Sequence, residues 1–511
     1  MERRPGCRGV LALLLVWGVC EGVSLGATNV EITVRDKGSG QPVPCRIHLK
    51  DAAGKPQRAG ELPFWFDHFV CPGTATFPLS PGKYTIQIER GPEYSRIAET
   101  LDVNAEDSLQ RAYQIERLVD LAAEGWWSGE LHVHRPVEAI ELLMRAEDLH
   151  VAPVITWWNK RNLWDNKPSP SDPLVSFDGN RFSQVMAGED EREGGALLYF
   201  HLTKPLAIAS AGREYPSPMR FVEDALRVDE HVWIDIEKPF WWDVPVWLAS
   251  GRMRSIGLAN NHMCRDRMSE REAWGKPRPE KLLPPPRGNG YWTQQIYYHI
   301  LNAGLRVPPS AGSASGVLPN PVGYNRVYVH LDRGLTHDGW WDGLRRGRSF
   351  VTNGPLLRVT AKGQLPGHVF RAPAGTPIQL ELKAKLTAQD PIRGVEIIKN
   401  GQVERRVAFD DVLKTGSLGA VGFQESGWFL VRTITENPET FRFASTAPFY
   451  VEIGDAKERI SKASAQFFLD WTRERIARVK VEDPRQRDEV LAYHRLAEKF
   501  WEERVARANS E

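Results

Sequence analysis

Two histidines spaced two residues apart, His132 and His134, close the segment Ser128-Gly129-Glu130-Leu131-His132-Val133-His134. Alternate residues of a strand face the same way, so both imidazoles can converge on one ion while Leu131 and Val133 turn into the core. Neutral imidazole is the commonest nitrogen ligand of zinc and similar ions. The pair ends an apolar strand and runs into a helix opened by Pro136, a residue suited to the first helical position. Many such pairs are surface residues with no ligand; the place at a strand end favours a metal.

Three further groups fall at predicted strand ends. In Ile234-Asp235-Ile236-Glu237, Asp235 and Glu237 share a face, where they can ligate an ion, accept a proton, or pair with the adjacent Lys238. Asn260-Asn261-His262 ends the next apolar segment, placing His262 as a ligand, a proton acceptor or a hydrogen-bonded rim histidine, with Cys264 on the same face. Of the 18 tryptophans, Trp126, Trp127, Trp157, Trp158, Trp233, Trp241, Trp242 and Trp247 lie in or beside these ends. Packing accounts for most of them. Trp158, Trp241 and Trp242 are expected as pocket walls for a sugar or another flat ligand. The Pro- and Arg-rich stretch from Arg265 to Tyr291 reads as a long loop, a lid or a surface insertion. Other chemistries lack their residues: Ala314 stands where a nucleophile elbow needs Ser, and there is no P-loop, dinucleotide fingerprint or H-E-x-x-H.

The elements that must hold these groups divide a 511-residue chain that exceeds one core. Residues 27–118 read as a small β-sandwich, with Val30, Ile32 and Val34 alternating and Ser80-Pro81-Gly82 opening the strand Tyr84–Ile88. This stretch resembles the carboxypeptidase-regulatory-like secreted β-domains. Residues 119–350 alternate apolar strands such as Val151–Ile155 with helical stretches, the pattern of an α/β sheet or barrel with its site at the strand C-termini. Residues 351–456 return to β, where Asn400-Gly401 signals a hairpin. Residues 457–511 are helical, with Phe468, Trp471, Arg475 and Val479 near helical spacing. A second helix, capped at Asp483-Pro484, carries Leu496, Phe500 and Trp501 on one side.

The formal net charge of +1 is spread over interspersed charges, with no basic tract of the kind that binds nucleic acid. Arg3, Arg4 and Arg8 precede the apolar run Val10–Trp17, and Ser24 and Gly26 suit cleavage, so residues 1–26 are expected to be a signal peptide. The run is shorter than the roughly 20 residues of a membrane span, and no later stretch approaches that length. A secreted or periplasmic protein is expected, with Cys20 leaving a lipoprotein open. In an oxidising compartment Cys45 and Cys71 could pair; the alternative is buried free thiols.

Gly125 to Arg135, and the order of blocks up to about residue 360, resemble the polymerase-and-histidinol-phosphatase (PHP) superfamily, in particular its CehA/McbA-like branch. His132 and His134 match the opening H-x-H, and Met186-Ala187-Gly188-Glu189 matches a Gly-x-Glu block followed by His201. Leu344–Pro355 looks like the family's passage into its C-terminal β-domain. Thr156-Trp157-Trp158-Asn159 stands in place of Thr-Asp-His-Asn, and Gly312-Ser313-Ala314-Ser315-Gly316 in place of Gly-Ser-Asp-x-His, so three ligand positions are lost. The resemblance implies a distorted β/α barrel between two β-sandwich domains. It implies one or two divalent ions, Zn, Mn or Fe, on His132, His134, Glu189 and His201, with Asp235, Glu237 or His262 as further ligand or proton acceptor. A phosphoester, ester or carbamate in a small-molecule or glycan-type substrate would then be hydrolysed. The alternative is a barrel that has lost this chemistry and serves as a Trp-lined ligand- or carbohydrate-binding protein.

Overall fold

The computed structural model describes residues 26–105, 108–455 and 457–511. The expected leader as far as Leu25, with Cys7 and Cys20, lies outside the described residues. Among the described residues no helix is long and apolar enough to cross a membrane.

The N-terminal part is built as its alternation demands. In Thr28–Asp36 the odd-facing Val30, Ile32 and Val34 are buried while Asn29 is exposed. A three-stranded sheet containing this strand and a five-stranded sheet share one apolar core, with Ile47, Phe69, Phe77, Ile86 and Ile88. Cys45 and Cys71 are register partners on adjacent antiparallel strands, both buried free thiols.

The central part is a seven-stranded sheet in the order Arg161–Asn162, Ile155–Trp158, Ala187–Arg192, Gly195–Phe200, Trp233–Ile236, Ser255–Ala259, Pro309–Ala311. Where a distorted barrel was expected, the described element is this mixed sheet. Gly195–Phe200 runs antiparallel to both neighbours, whereas the pairs beyond it are parallel except at the edge, where Arg161–Asn162 runs antiparallel to Ile155–Trp158. Gly195–Phe200 and Ser255–Ala259 are buried at every residue, which is why they read as continuous apolar runs rather than alternating ones. Helices Pro218–Val228, Val244–Ala249 and Gly288–Asn302 connect or follow its strands; the first opens on Pro218 with Ser217 accepting from the Met219 N–H. The Leu131–His134 segment bonds to both sides: Ile155 N to Val133 O at 2.8 Å, and Ala314 N to His132 O at 2.8 Å.

A nine-stranded sheet joins Trp126–Gly129, Arg326–His330 and Ser349–Thr352 to strands as late as Phe449–Ile453. The expected division at 350/351 therefore runs through one continuous sheet. Its hairpin turns at Asn400 and Gly401, both at positive φ as the Asn-Gly pair requires. The two C-terminal helices, Lys462–Arg478 and Pro484–Ala506, return to the central part. Asp483 caps the second by accepting from Arg485 and Gln486 N–H, and Trp501 Nε1 donates to Pro245 O at 3.0 Å. Leu496 does not share the buried side with Trp501; it is 67% exposed, because Val490, Leu491, His494 and Ala497 form the inward stripe. Arg475 is buried between Asp243 and Glu214, each at 2.6 Å. The expected loop from Arg265 is packed rather than free: Arg278 is buried and bonds Leu283 O, Glu270 O and Glu272.

Candidate metal centre

His132 and His134 leave the Leu131–His134 segment on one side, and Glu189 meets them from the Ala187–Arg192 strand. His132 Nε2 and His134 Nε2 are 3.0 Å apart, and Glu189 Oε2 stands 3.4 Å from the first and 3.0 Å from the second. Bonds of about 2.1 Å to one ion would separate neighbouring ligand atoms by roughly 3.0 Å in octahedral and 3.4 Å in tetrahedral geometry. The triangle fits one ion. Glu189 Oε2 is buried and accepts no hydrogen bond, although both rings are adjacent. Among the described residues, these three form one of two His/Asp/Glu groups that could hold a metal ion.

The charges are strongly coupled. Burial would lower the His132 imidazole, but the Glu189 and Glu237 carboxylates outweigh it and hold the ring at about 10. Burial would raise Glu189, yet the two imidazoles hold it well below the usual carboxylate range. His134 is lowered, because burial together with the neighbouring His132 outweighs the pull of Glu189. The two carboxylates make this a point that favours a positive charge.

Glu237 lies behind His132 rather than on the ligand face. Its Oε1 is 3.3 Å from His132 Nδ1, while Trp241 Nε1 (2.8 Å), Asn261 Nδ2 (2.7 Å) and Lys238 hold the carboxylate. A carboxylate on the far ring nitrogen fixes the tautomer that leaves Nε2 free to ligate. Burial would raise Glu237, but Lys238 and His132 bring it down to about 2. Asp235 is turned into the hydroxyls of Ser255 and Ser310, the latter at 2.5 Å, and burial pushes it up to about 7. His262 packs on Phe240 with Nδ1 3.4 Å from Asn289 Nδ2, and burial brings it down to about 3. Neither joins the three ligand candidates.

His201 is not brought to the site. Gly195–Phe200 is antiparallel, with Leu198 opposite Glu189, so three more residues carry His201 roughly 10 Å towards the opposite rim. There its ring lies 4.6 Å from Trp341 and 5.5 Å from His337. Trp241 and Trp242 are also displaced from their expected place as pocket walls: both are buried, Trp241 bonded to Glu237 and Trp242 under the Lys276 and Arg478 cations. Trp158 does line the site. Its ring is 4.9 Å from His134, and it separates a cleft of about 470 Å³ containing His134, Arg135 and Arg161 from one of about 450 Å³ containing Glu191, Arg192 and Arg213.

Two acidic residues were missed. Glu130 and Glu191 each lie two positions from a ligand candidate, so the same two-residue period places them on the same faces. Glu130 accepts from Ser313 N at 2.6 Å and from Gly323 N, tying the ligand segment to the 312–323 loop. Glu191 accepts from Trp158 Nε1 at 3.2 Å, and burial beside Glu189 raises it to about 7. The lost late ligands have a steric counterpart: a Cβ at residue 316 would stand 2.5 Å from His134 O.

The second buried group, His48, Asp67 and His68, is of a different kind. Asp67 Oδ1 is 3.1 Å from His48 Nδ1 and 3.2 Å from His68 Nδ1. Arg46 Nε donates to His48 Nε2 at 3.0 Å, so the neutral ring keeps its proton on Nδ1, the atom an ion would need. Lys50 neutralises Asp67 from the other side at 3.2 Å.

No protein-family model matches the chain, and no curated protein does. Among solved structures, the N-terminal four Ig domains of Dscam1 isoform 4.4 align at 11% identity over 84% of this chain and 98% of that one, with a TM-score of 0.12. A likeness at that score carries no argument.

Proposed function

We propose that this chain is an exported metal-dependent hydrolase of the PHP type, cleaving a phosphoester, ester or carbamate at a one-ion site held by His132, His134 and Glu189. The observation that carries the reading is the convergence of two imidazole nitrogens with a buried, unbonded carboxylate oxygen. The backbone bonds from Leu131–His134 to the strands on both sides support a barrel-like closure around it. His132, His134 and Glu189 would hold a divalent ion there, which would supply Lewis acidity towards the scissile group and towards water.

The chain's own residues do the rest. Glu237 turns His132 Nδ1 backward and Nε2 forward. Trp158 covers His134 and excludes water from that side. Glu191, with Oε2 bonded to the Trp158 indole, has Oε1 to exchange a proton with a leaving group in the second cleft. The rival reading, a Trp-lined carbohydrate-binding protein, keeps only Trp158 of its three expected rings, since Trp241 and Trp242 are buried.

Metal analysis tests this directly. After reconstitution with Zn, Mn or Fe, about one equivalent per chain is expected in the wild type and in His48→Gln, and none in His132→Ala/His134→Ala. Hydrolysis of p-nitrophenyl phosphate, bis-p-nitrophenyl phosphate or p-nitrophenyl acetate should follow the metal. A wild-type chain that retains no ion under any of the three overturns the proposal.

A further inference from the structure

Arg135 directly follows the second histidine and is only 5% exposed. Its Nη2 reaches Phe64 O at 3.3 Å, and its guanidinium lies 5.6 Å from the Trp65 ring centre. Nη1 is buried with no hydrogen-bond partner. Among the described residues no carboxylate pairs with Arg135. A buried cation without a counter-charge costs free energy that a bound anion would offset.

The surroundings mark out a ligand site. Arg135 lines the cleft of about 470 Å³ together with His134, Trp158 and Gly316. From the same lining Arg161 adds a second guanidinium, 5.4 Å from the Trp158 ring centre. Glu138 is the acidic member of the lining, and it is exposed. Another arginine-rich cleft differs in this respect: its Arg306, Arg346, Arg348 and Arg371 are paired with carboxylates at 2.8–3.0 Å, and its Arg345 is exposed rather than buried. The N-terminal domain supports Arg135 itself, because Trp65 Nε1 donates to Leu318 O at 2.7 Å and holds Phe64–Trp65 against the guanidinium.

We propose that Arg135 anchors an oxyanion group of the substrate, a phosphate or a carboxylate, in the cleft beside His134. The planar fork of guanidinium matches two oxygens of either group. The inference rests on the hydrolase reading only in calling this anion part of a substrate. It also gives the N-terminal domain a role in specificity, since Phe64 and Trp65 orient the anchor.

The test uses the full chain stripped of metal by a chelator, so that no ion can hold the anion. Thermal midpoints are recorded against inorganic phosphate and, separately, acetate, each compared with chloride at equal ionic strength. Wild type and His132→Ala/His134→Ala should both show a saturable rise with at least one of the two anions. Arg135→Gln should weaken that response at least tenfold, and Arg135→Lys should keep part of it. A response to phosphate assigns a phosphoryl-bearing substrate, and a response to acetate alone a carboxylate-bearing one. A wild type that responds to neither beyond chloride overturns the proposal with no variant needed, as does an undiminished response in Arg135→Gln. Loss of the anion response with metal retained leaves the hydrolase reading standing, and the reverse result leaves the anion site standing.

Discussion

Gly312 has no room for a methyl group: a Cβ there would stand 2.4 Å from the Cβ of His132. Since Ala314 N also donates to His132 O, the 312–316 loop is the surface against which that ring is set. Gly312→Ala should push the imidazole off the Glu189 carboxylate, costing about 1–3 kcal/mol of stability as overpacking does. Metal affinity should fall at least tenfold, read by chelator competition; an unchanged affinity would mean that the loop does not set the ring. At this scale much of the site was legible. His132 and His134 follow from a two-residue period that any strand obeys, and Glu189 from the resemblance of Met186-Ala187-Gly188-Glu189 to a family Gly-x-Glu block. Glu130 and Glu191 carried the same signal and went unused. Arg135 could not be found so, because its burial and lack of a counter-charge come from Phe64 and Trp65, some 70 residues earlier in the chain.

Strand direction is the element-scale fact that the sequence conceals. An apolar run such as Ala196–Phe200 reads the same whether parallel or antiparallel, and its reversal alone takes His201 to the wrong rim. The Asn400-Gly401 hairpin was legible because its turn chemistry is local, whereas the sheet crossing residue 350 depends on long-range pairing of Trp126–Gly129 with Arg326–His330. Register also decides the cysteines. Residues directly opposite in an antiparallel pair have Cα atoms about 4.5–5.5 Å apart, inside the range a disulfide needs. Cys45 and Cys71 occupy such a position. Oxidation of the purified protein should therefore join them, giving an intact chain two hydrogens lighter with Cys264 still alkylatable. The closed loop should stabilise the chain by roughly 3–4 kcal/mol. A chain in which Cys45 and Cys71 both still react after oxidation would refute the pairing.

At the scale of the whole molecule, the joints between parts are polar and buried, and Glu93 is the one whose titration should be visible. It reaches out of the N-terminal part to accept from Tyr328 Oη at 3.0 Å, Leu121 N at 2.9 Å and Arg117 Nη1 at 3.2 Å. Burial, reinforced by Asp148, pushes its carboxyl up to about 7. The folded chain thus keeps this proton to about pH 7, whereas the unfolded chain releases it near the ordinary value of 4.5. Its stabilising share is complete below the lower value and is lost as the pH climbs to the upper one, by roughly 3 kcal/mol at most. Glu93→Gln removes the titration. The amide oxygen can face Leu121 N–H and Arg117, and its NH2 then points at Tyr328 Oη as the O–H of the protonated carboxyl would. The midpoint of thermal unfolding in Glu93→Gln, relative to wild type, should rise steadily between pH 5 and pH 7.5 and then level off. Parallel profiles would place the Glu93 carboxylate, still charged, among the ordinary salt bridges of the joint and refute the raised value. A rising difference would show that the contact of the N-terminal part with Tyr328 and Leu121 loses this share of its stability as the pH rises.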